Sequence, residues 1–348
     1  MANLTVKPVT WIRSGVLSGA AGLVRELGAN PQALASQCGL EPGSLDTEDL
    51  PVKGSAVVEF FEAAAETTGC TSFGIRLASR QSFAVLGSLW LGMRRARSVL
   101  DALEVMVDFF IMHTSGALVD LQMQDDGSAF VTYNLAAGVS TQDRQTIELG
   151  LALLCNELRA HCGTGWMPRG AFFCHDRPPG LDRHRLCFGS ALSFNRDRNA
   201  LWLDQASLSM PLATGSYPAG DIFAPELDSR VGSPQAVAAK VEGVMRALLP
   251  FASCTRQRVA QIANLSQRSL QRRLAESDTT FQQLRDRVRA DIALKYLRQS
   301  NLQAAQISEI LGYSEPAAFS RAFRRQHGFS PSQVRSHAGL KQSRQRDS

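Results

Sequence analysis

The 348 residues, 44% of them hydrophobic, make a chain long enough for two domains and apolar enough to bury a core in each. No apolar run approaches the ~20 residues of a membrane span, residues 16–24 are too short and glycine-broken for a signal sequence, and seven irregularly spaced cysteines without Cys-x-x-Cys read as free thiols of a reducing cytosol. The net charge of +5 divides unevenly: residues 250–348 hold 17 Lys/Arg against 7 Asp/Glu, net +10, and residues 1–249 hold 20 against 25, net −5, so the C-terminal hundred residues ask for a polyanionic partner.

The N-terminal third reads as helices: residues 14–27 ending at Gly28, 54–68 with an apolar face at Val57, Val58, Phe61 and Ala64/Ala65, and 98–113 with Leu100, Leu103, Val107 and Phe110 in line. The period then shortens to two. Residues 117–124 and 128–135 flank Asp125-Asp126-Gly127 and predict a hairpin. A helix over 146–161 follows, striped by Ile147, Leu151, Leu154 and Leu158; packing on its own sheet and a dimer seam are both open to it. Short strands are predicted at 170–175, 192–195 and 200–204. Helices mixed with antiparallel strands predict an α+β fold for residues 1–205. Residues 206–232, with Pro211, Gly215, Pro218, Gly220 and Pro225, read as a linker.

Residues 233–336 predict an all-α domain. Ser233-Pro234 has the form of an N-cap with proline at the first helical position. Residues 259–274, VAQIANLSQRSLQRRL, can be laid beside 307–323, ISEILGYSEPAAFSRAF. Each is a short helix, a turn around Asn264-Leu265-Ser266 or Gly312-Tyr313-Ser314, and a second amphipathic helix. That is two helix-turn-helix units, with Ser266 and Ser314 as candidate N-caps. Between them, residues 280–300 form one long helical pattern. About twenty residues at ~1.5 Å each span roughly 30 Å, close to the ~34 Å of one turn of B-DNA. One polypeptide is thereby able to set two recognition helices in successive major grooves.

In the first unit Leu270 and Leu274 face Val259 and Ile262, which leaves Arg268, Gln271 and Arg272 on the far side. Arginine and glutamine pair bidentately with guanine and adenine edges. In the second unit Phe319 and Phe323 turn inward, leaving Ala317, Ser320, Arg321 and Arg324 outward. Arg256, Arg258, Arg273 and Arg324 are assigned to phosphates, which position a protein without specifying sequence.

These residues carry a resemblance. VAQIANLSQRSLQRRLAE and, over 307–335, ISEILGYSEPAAFSRAFRRQHGFSPSQVR resemble the AraC/XylS family of bacterial transcription regulators. The closing pattern Phe319-x-Arg321-x-Phe323, then Phe329-Ser330-Pro331, is the most specific. The resemblance implies two helix-turn-helix units joined by a long helix. It places base contacts at Arg268, Gln271 and Arg272 in the first recognition helix, and at Ala317 and Arg321 in the second. Val334 departs from the tyrosine usual before the arginine, so a packing change is expected there. Residues 86–110 resemble, more distantly, the sensor region of ornithine-utilisation-type regulators and not the jelly roll of sugar-sensing members. That implies a ligand-sensing and dimerising domain.

Catalytic and metal chemistry are not expected. His161-Cys162 and Cys174-His175 lack the spacing of structural zinc sites, and there is no phosphate loop after a strand and no Gly-x-Ser-x-Gly. Trp90, Met93, Phe109, Phe110, Met112 and His113 are the candidates for an effector pocket, with ordinary core packing as the alternative for each. Arg80 and Arg94-Arg95 are able to pair an anionic effector or to sit solvated. The expectation is a cytoplasmic homodimeric regulator with no cofactor. Its partners are double-stranded DNA, a small-molecule effector and RNA polymerase, with activation implied by the resemblance. The competing readings are an enzyme-like domain with a DNA-targeting tail and a constitutive dimeric DNA-binding protein. Residues 337–348 are expected to be a disordered basic tail.

Overall fold

The computed structural model describes residues 10–47, 50–86, 93, 96–110, 113–114, 116–136, 142–212, 234–250, 254–263 and 265–335. They fall into two compact units, one within Pro8–Gly220 and one within Asp221–Ser348. Ser233, Asn264, most of the expected linker and the expected tail lie outside the described residues.

The first unit is α+β, as the alternation of patterns predicts. It opens with β1 (Trp11–Arg13), paired antiparallel to β2 (Pro51–Lys53). The helix expected over 14–27 is broken: a 3-10 turn covers Ser14–Leu17, and α1 (Ala20–Glu26) starts afresh. The cause is Gly19, whose φ of +76° is a left-handed conformation that no helix interior accepts. Then come α2 (Pro31–Gln37), α3 (Gly54–Thr68), α4 (Phe73–Ala78) and α5 (Val99–Phe109). Two of these have visible start signals. The Asn30 side chain accepts from the amides of Gln32 and Ala33 ahead of Pro31, and Ser98 accepts from Asp101. Ser98 is therefore the cap and not the first turn, and α5 ends four residues before His113.

The hairpin β3 (Ala117–Met123) and β4 (Ala129–Leu135) turns at the expected Asp125–Gly127, with Gly127 at φ +75°. With β5 (Gly170–Phe172), β6 (Leu192–Ser193) and β7 (Ala200–Leu203) it makes one sheet, in the order β3-β4-β7-β5-β6. All its pairings are antiparallel except β5 with β6, which are joined through α7 (Asp182–Phe188). The sheet's inner residues Ala129, Val131, Ala171, Leu201 and Leu203 are sealed by α6 (Arg144–Cys162).

α6 is buried nearly all round, packing on β4 and β7 on one side and on α3 and α4 on the other. A dimer seam along it is therefore ruled out by its own neighbours. Its approach to α4 is close enough that a Cβ on Gly74 would sit 2.0 Å from the Gln145 carbonyl oxygen, while the Gln145 side chain accepts from the Gly74 amide at 2.8 Å. The short helix α8 (Gln205–Leu208), capped by Asp204, occupies the first part of the expected linker.

The second unit is all-α. α9 (Pro234–Leu248) buries Val241, Val244, Met245 and Leu248. α10 (Arg256–Ile262) and α11 (Gln267–Ala275) form the first helix-turn-helix. The long α12 (Phe281–Gln299), with a capping box between Thr280 and Gln283, leads to α13 (Ala304–Ile310) and α14 (Pro316–His327), which form the second. A last helical turn, α15 (331–335), carries the buried Val334.

Candidate nucleic-acid interface and sensor cavity

The two recognition helices α11 and α14 are amphipathic for the same reason. Each sinks two residues four apart, Leu270 and Leu274 or Phe319 and Phe323, to 1% exposure or less, and whatever lies half a turn away is turned to solvent. On α11 that places Arg268, Gln271 and Arg272 together in the open, as the sequence predicts. Arg268 and Gln271 make no hydrogen bond or ion pair among the described residues. Arg272 reaches Glu276 at 3.8 Å while staying 65% exposed, a contact of small worth that leaves the guanidinium able to turn outward. Arg273 is half-buried against Glu276 at 3.9 Å, to the side of that face.

On α14, Ala317, Arg321 and Arg324 are exposed. Ser320 is half-buried, and its hydroxyl donates to the Pro316 carbonyl at 3.0 Å. The helix starts differently from its counterpart. Ser266 caps α11, accepting from the Ser269 amide at 3.1 Å. The residue at the same place before α14 is Glu315 and not Ser314, it makes no side-chain cap, and Pro316 supplies the first turn instead. Arg256 and Arg258 stand on α10; Arg256 lies 5.9 Å from the Phe281 ring centre.

α12 does more than separate the units. Its 19 residues span ~28 Å at ~1.5 Å per residue, and its side chains fasten what they pass. Arg289 donates to the Gly312 carbonyl at 3.1 Å and lies 4.7 Å from the centre of the Tyr313 ring, gripping the second turn. Asp286 meets Arg325 of α14 at 3.5 Å, and Asp291 meets Arg246 of α9 at 2.7 Å. Glu242 of α9 takes both Arg246 and Arg287. Several of the arginines that make this segment basic are thus spent on rigidity. Sequence alone counts them all as charge for a partner.

In the first unit a cavity of about 70 Å³ lies between α5, α6, β3 and β4. Val119, Val131, Met106 and Leu149 form much of its wall, and Phe110 and His113 face it. A second, of about 40 Å³, adjoins it and shares His113, Tyr133, Thr146 and Val16. Burial, and then Arg13 nearby, hold the His113 imidazole down to about 3, so it is neutral at physiological pH. Its Nδ1 has no hydrogen-bond partner among the described residues, and neither has the hydroxyl of Thr146.

Of the six expected pocket residues, then, Phe110 and His113 line this space. Met93 is buried core and Phe109 packs against the core, but neither lines the cavity, and Trp90 and Met112 lie outside the described residues. Arg94 and Arg95 lie there too, while Arg80 makes a two-pronged pair with Glu26 at 2.7 and 2.5 Å. Tyr133 and Thr146 escape a reading by helix stripe. The signal that points to them is Gly150, a glycine inside a strong helix: a Cβ there would lie 2.5 Å from the Tyr133 ring. Elsewhere His161 pairs with Glu157 at 3.2 Å, and the buried Glu148 holds His184 at 2.9 Å with His175 at 3.4 Å.

The family described as the arabinose-binding domain of AraC transcription regulators, N-terminal, matches residues 28–212, and a helix-turn-helix domain family matches 259–337. The chain belongs to the AraC family of transcription regulators. The regulator VirS of Mycobacterium tuberculosis is 28% identical over 336 residues, covering 94% of this chain and 97% of VirS. The ornithine utilization regulator of Pseudomonas aeruginosa is 24% identical over 316 residues, 90% of this chain and 93% of its own. Among solved structures, the transcriptional regulator CdpR of P. aeruginosa aligns over 79% of this chain and 91% of its own, at 18% identity and a TM-score of 0.38. This AraC-family chain is a transcriptional regulator with a helix-turn-helix DNA-binding domain and an N-terminal ligand domain of the arabinose-binding type. No helix among the described residues is long and apolar enough to cross a membrane.

Proposed function

We propose that Arg268, Gln271 and Arg272 read base edges in one major groove, that Ala317 and Arg321 enter the next, and that Arg256, Arg258, Arg273 and Arg324 hold phosphates. Ser320 contributes helix structure more than readout. Residues 1–205, with the α8 helix and the residues to 212 that pack on them, bind a small-molecule effector and join two copies of the chain, and the rest of 206–232 is the linker to the DNA-binding domain at 233–336. The homodimer works in the cytoplasm and activates by engaging RNA polymerase. The N-terminal unit binds its effector and does not transform it.

The observation that carries this reading is the pair of recognition helices in one compact unit, each locked by two buried side chains and each turning arginine outward. Selection from a random duplex pool with the full chain should return a site of two half-motifs about one helical turn apart. On that site, Arg256→Ala should weaken specific and random DNA alike and lower the slope of log K against log salt by about one. A selected site with a single motif, or an Arg256→Ala variant that changes base preference and leaves the slope alone, overturns the assignment.

A further inference from the structure

The paired cavities of the first unit are built unlike ordinary packing defects. Empty cavities in proteins are lined by apolar groups alone, and a buried hydroxyl or ring nitrogen without a partner is costly. Here two such groups face the same space. His113 is 8% exposed and Thr146 7% exposed, and among the described residues neither the Nδ1 of the one nor the hydroxyl of the other has a partner. Both residues line both cavities, so the polar end of the space sits where the two lobes meet. The remainder of the larger lobe is almost wholly aliphatic and aromatic. Among the described residues it has no Asp, Glu, Lys or Arg in its wall, so a charged guest meets no counter-charge from them. The smaller lobe has Arg13 in its wall, and that side chain is not free.

We propose that these adjoining cavities are the effector site, and that the effector is a small uncharged molecule: a short apolar body ending in one neutral hydrogen-bonding group, such as an alcohol or amide, held by His113 and Thr146. This rests on the reading that the N-terminal unit binds an effector. The size follows from the volumes. The larger lobe is about 70 Å³ and the smaller about 40 Å³, and an apolar cavity of ~150 Å³ takes the six carbons of benzene, so a guest of about four carbons and one polar atom fits. The cavity's aliphatic walls supply affinity, and the two orphaned polar groups supply selection, because only a guest that satisfies them removes their burial cost.

The test uses the full-length chain with three probes of equal chain length at neutral pH: butan-1-ol, butanoate and butylammonium. Calorimetric titration and melting temperature should show saturable binding of butan-1-ol with stabilisation, and at least tenfold weaker binding of both ions. Thr146→Val, which keeps the shape and removes the hydroxyl, should weaken butan-1-ol up to about tenfold. Val119→Phe, which fills the larger lobe, should abolish binding. If either ion binds as well as the alcohol, or Thr146→Val and Val119→Phe both bind it as the parent does, the proposal is overturned. DNA affinity measured with and without butan-1-ol separates the two claims. Saturable binding in the cavity with no change at DNA sinks the regulatory reading and leaves the site standing. A DNA response to some other metabolite, with no saturable binding of butan-1-ol, sinks the site and leaves the regulatory reading standing.

Discussion

The two helix-turn-helix units share a plan and differ in what they expose. In the first, α11 is capped by Ser266 and shows Arg268, Gln271 and Arg272, three side chains with several donors each and no strong internal partner. In the second, α14 begins at a proline, shows Ala317 and Arg321, and ties the Ser320 hydroxyl to its own backbone. What the second unit lacks in exposed donors it has in fastening. Tyr313, Phe319, Phe323, His327 and Phe329 run ring to ring at 4.7–6.0 Å, and Arg289 and Asp286 bolt the unit to α12. On the proposed reading the difference divides the work: the first unit would supply most of the base readout, and the second, reading through Arg321 alone, would mainly hold the protein down at a fixed distance from it.

The harshest way to break that comparison is Phe319→Ala. The ring is fully buried between Tyr313 and Phe323, and its loss should cost about 3–5 kcal/mol. The melting temperature of the C-terminal unit should drop, and affinity should fall on selected and random duplexes together. Base preference within the first half-site should persist in what binding remains. If that preference disappears as well, the first unit does not read DNA alone.

Next comes a matched pair, Arg272→Ala and Arg321→Ala. Each removes one exposed guanidinium from a recognition helix. A good bidentate pair to a base is worth about 1–3 kcal/mol of discrimination, so Arg272→Ala should flatten preference at one base pair, read by competition with single-base variants of the site. Arg321→Ala should do the same for at most one position in the other half-motif, with no second readout beside it, because Ala317 offers only a methyl group. Equal loss on all duplexes for Arg272→Ala would move that residue to the phosphates.

How legible this was depends on range. The double helix-turn-helix, its long spacer and its exposed faces are local patterns: the inward pairs Leu270/Leu274 and Phe319/Phe323 are four apart, and their periodicity alone turns Arg268, Gln271, Arg272 and Arg321 outward. The hairpin around Asp125–Gly127 and the helix over 54–68 are legible on the same ground. The breaks came where a single residue overrules a stripe, as Gly19 does to the helix expected over 14–27, or where short elements such as α4 and α7 have too few residues to show a period. The sensor cavity is legible only in part. Phe110 and His113 sit on a readable stripe, but Tyr133 and Thr146 meet them from another strand and another helix, across contacts that no window of sequence spans. Likewise Arg289 and Arg246 look like any other cation until the structure brings Tyr313 and Asp291 to them.

The finest cut between the two units uses their serines. Ser266, the cap at the start of α11, and Ser320, half-buried on α14, are both hydroxyls of a recognition helix, and composition treats them alike. Ser266 accepts from the Ser269 amide, one of the donors that the start of a helix leaves unsatisfied. Ser266→Ala should therefore cost about 1 kcal/mol of stability, and weaken DNA binding only as far as α11 frays. Ser320 donates to a carbonyl that the helix already engages, a back-bond of little net worth at a position where alanine is the better helix former. Ser320→Ala should shift stability by less than about 0.5 kcal/mol in either direction and leave the selected sequence unchanged. A measurable change in base preference for Ser320→Ala would mean that its hydroxyl leaves Pro316 on binding and reads a base. The second unit would then read through two side chains and not through Arg321 alone.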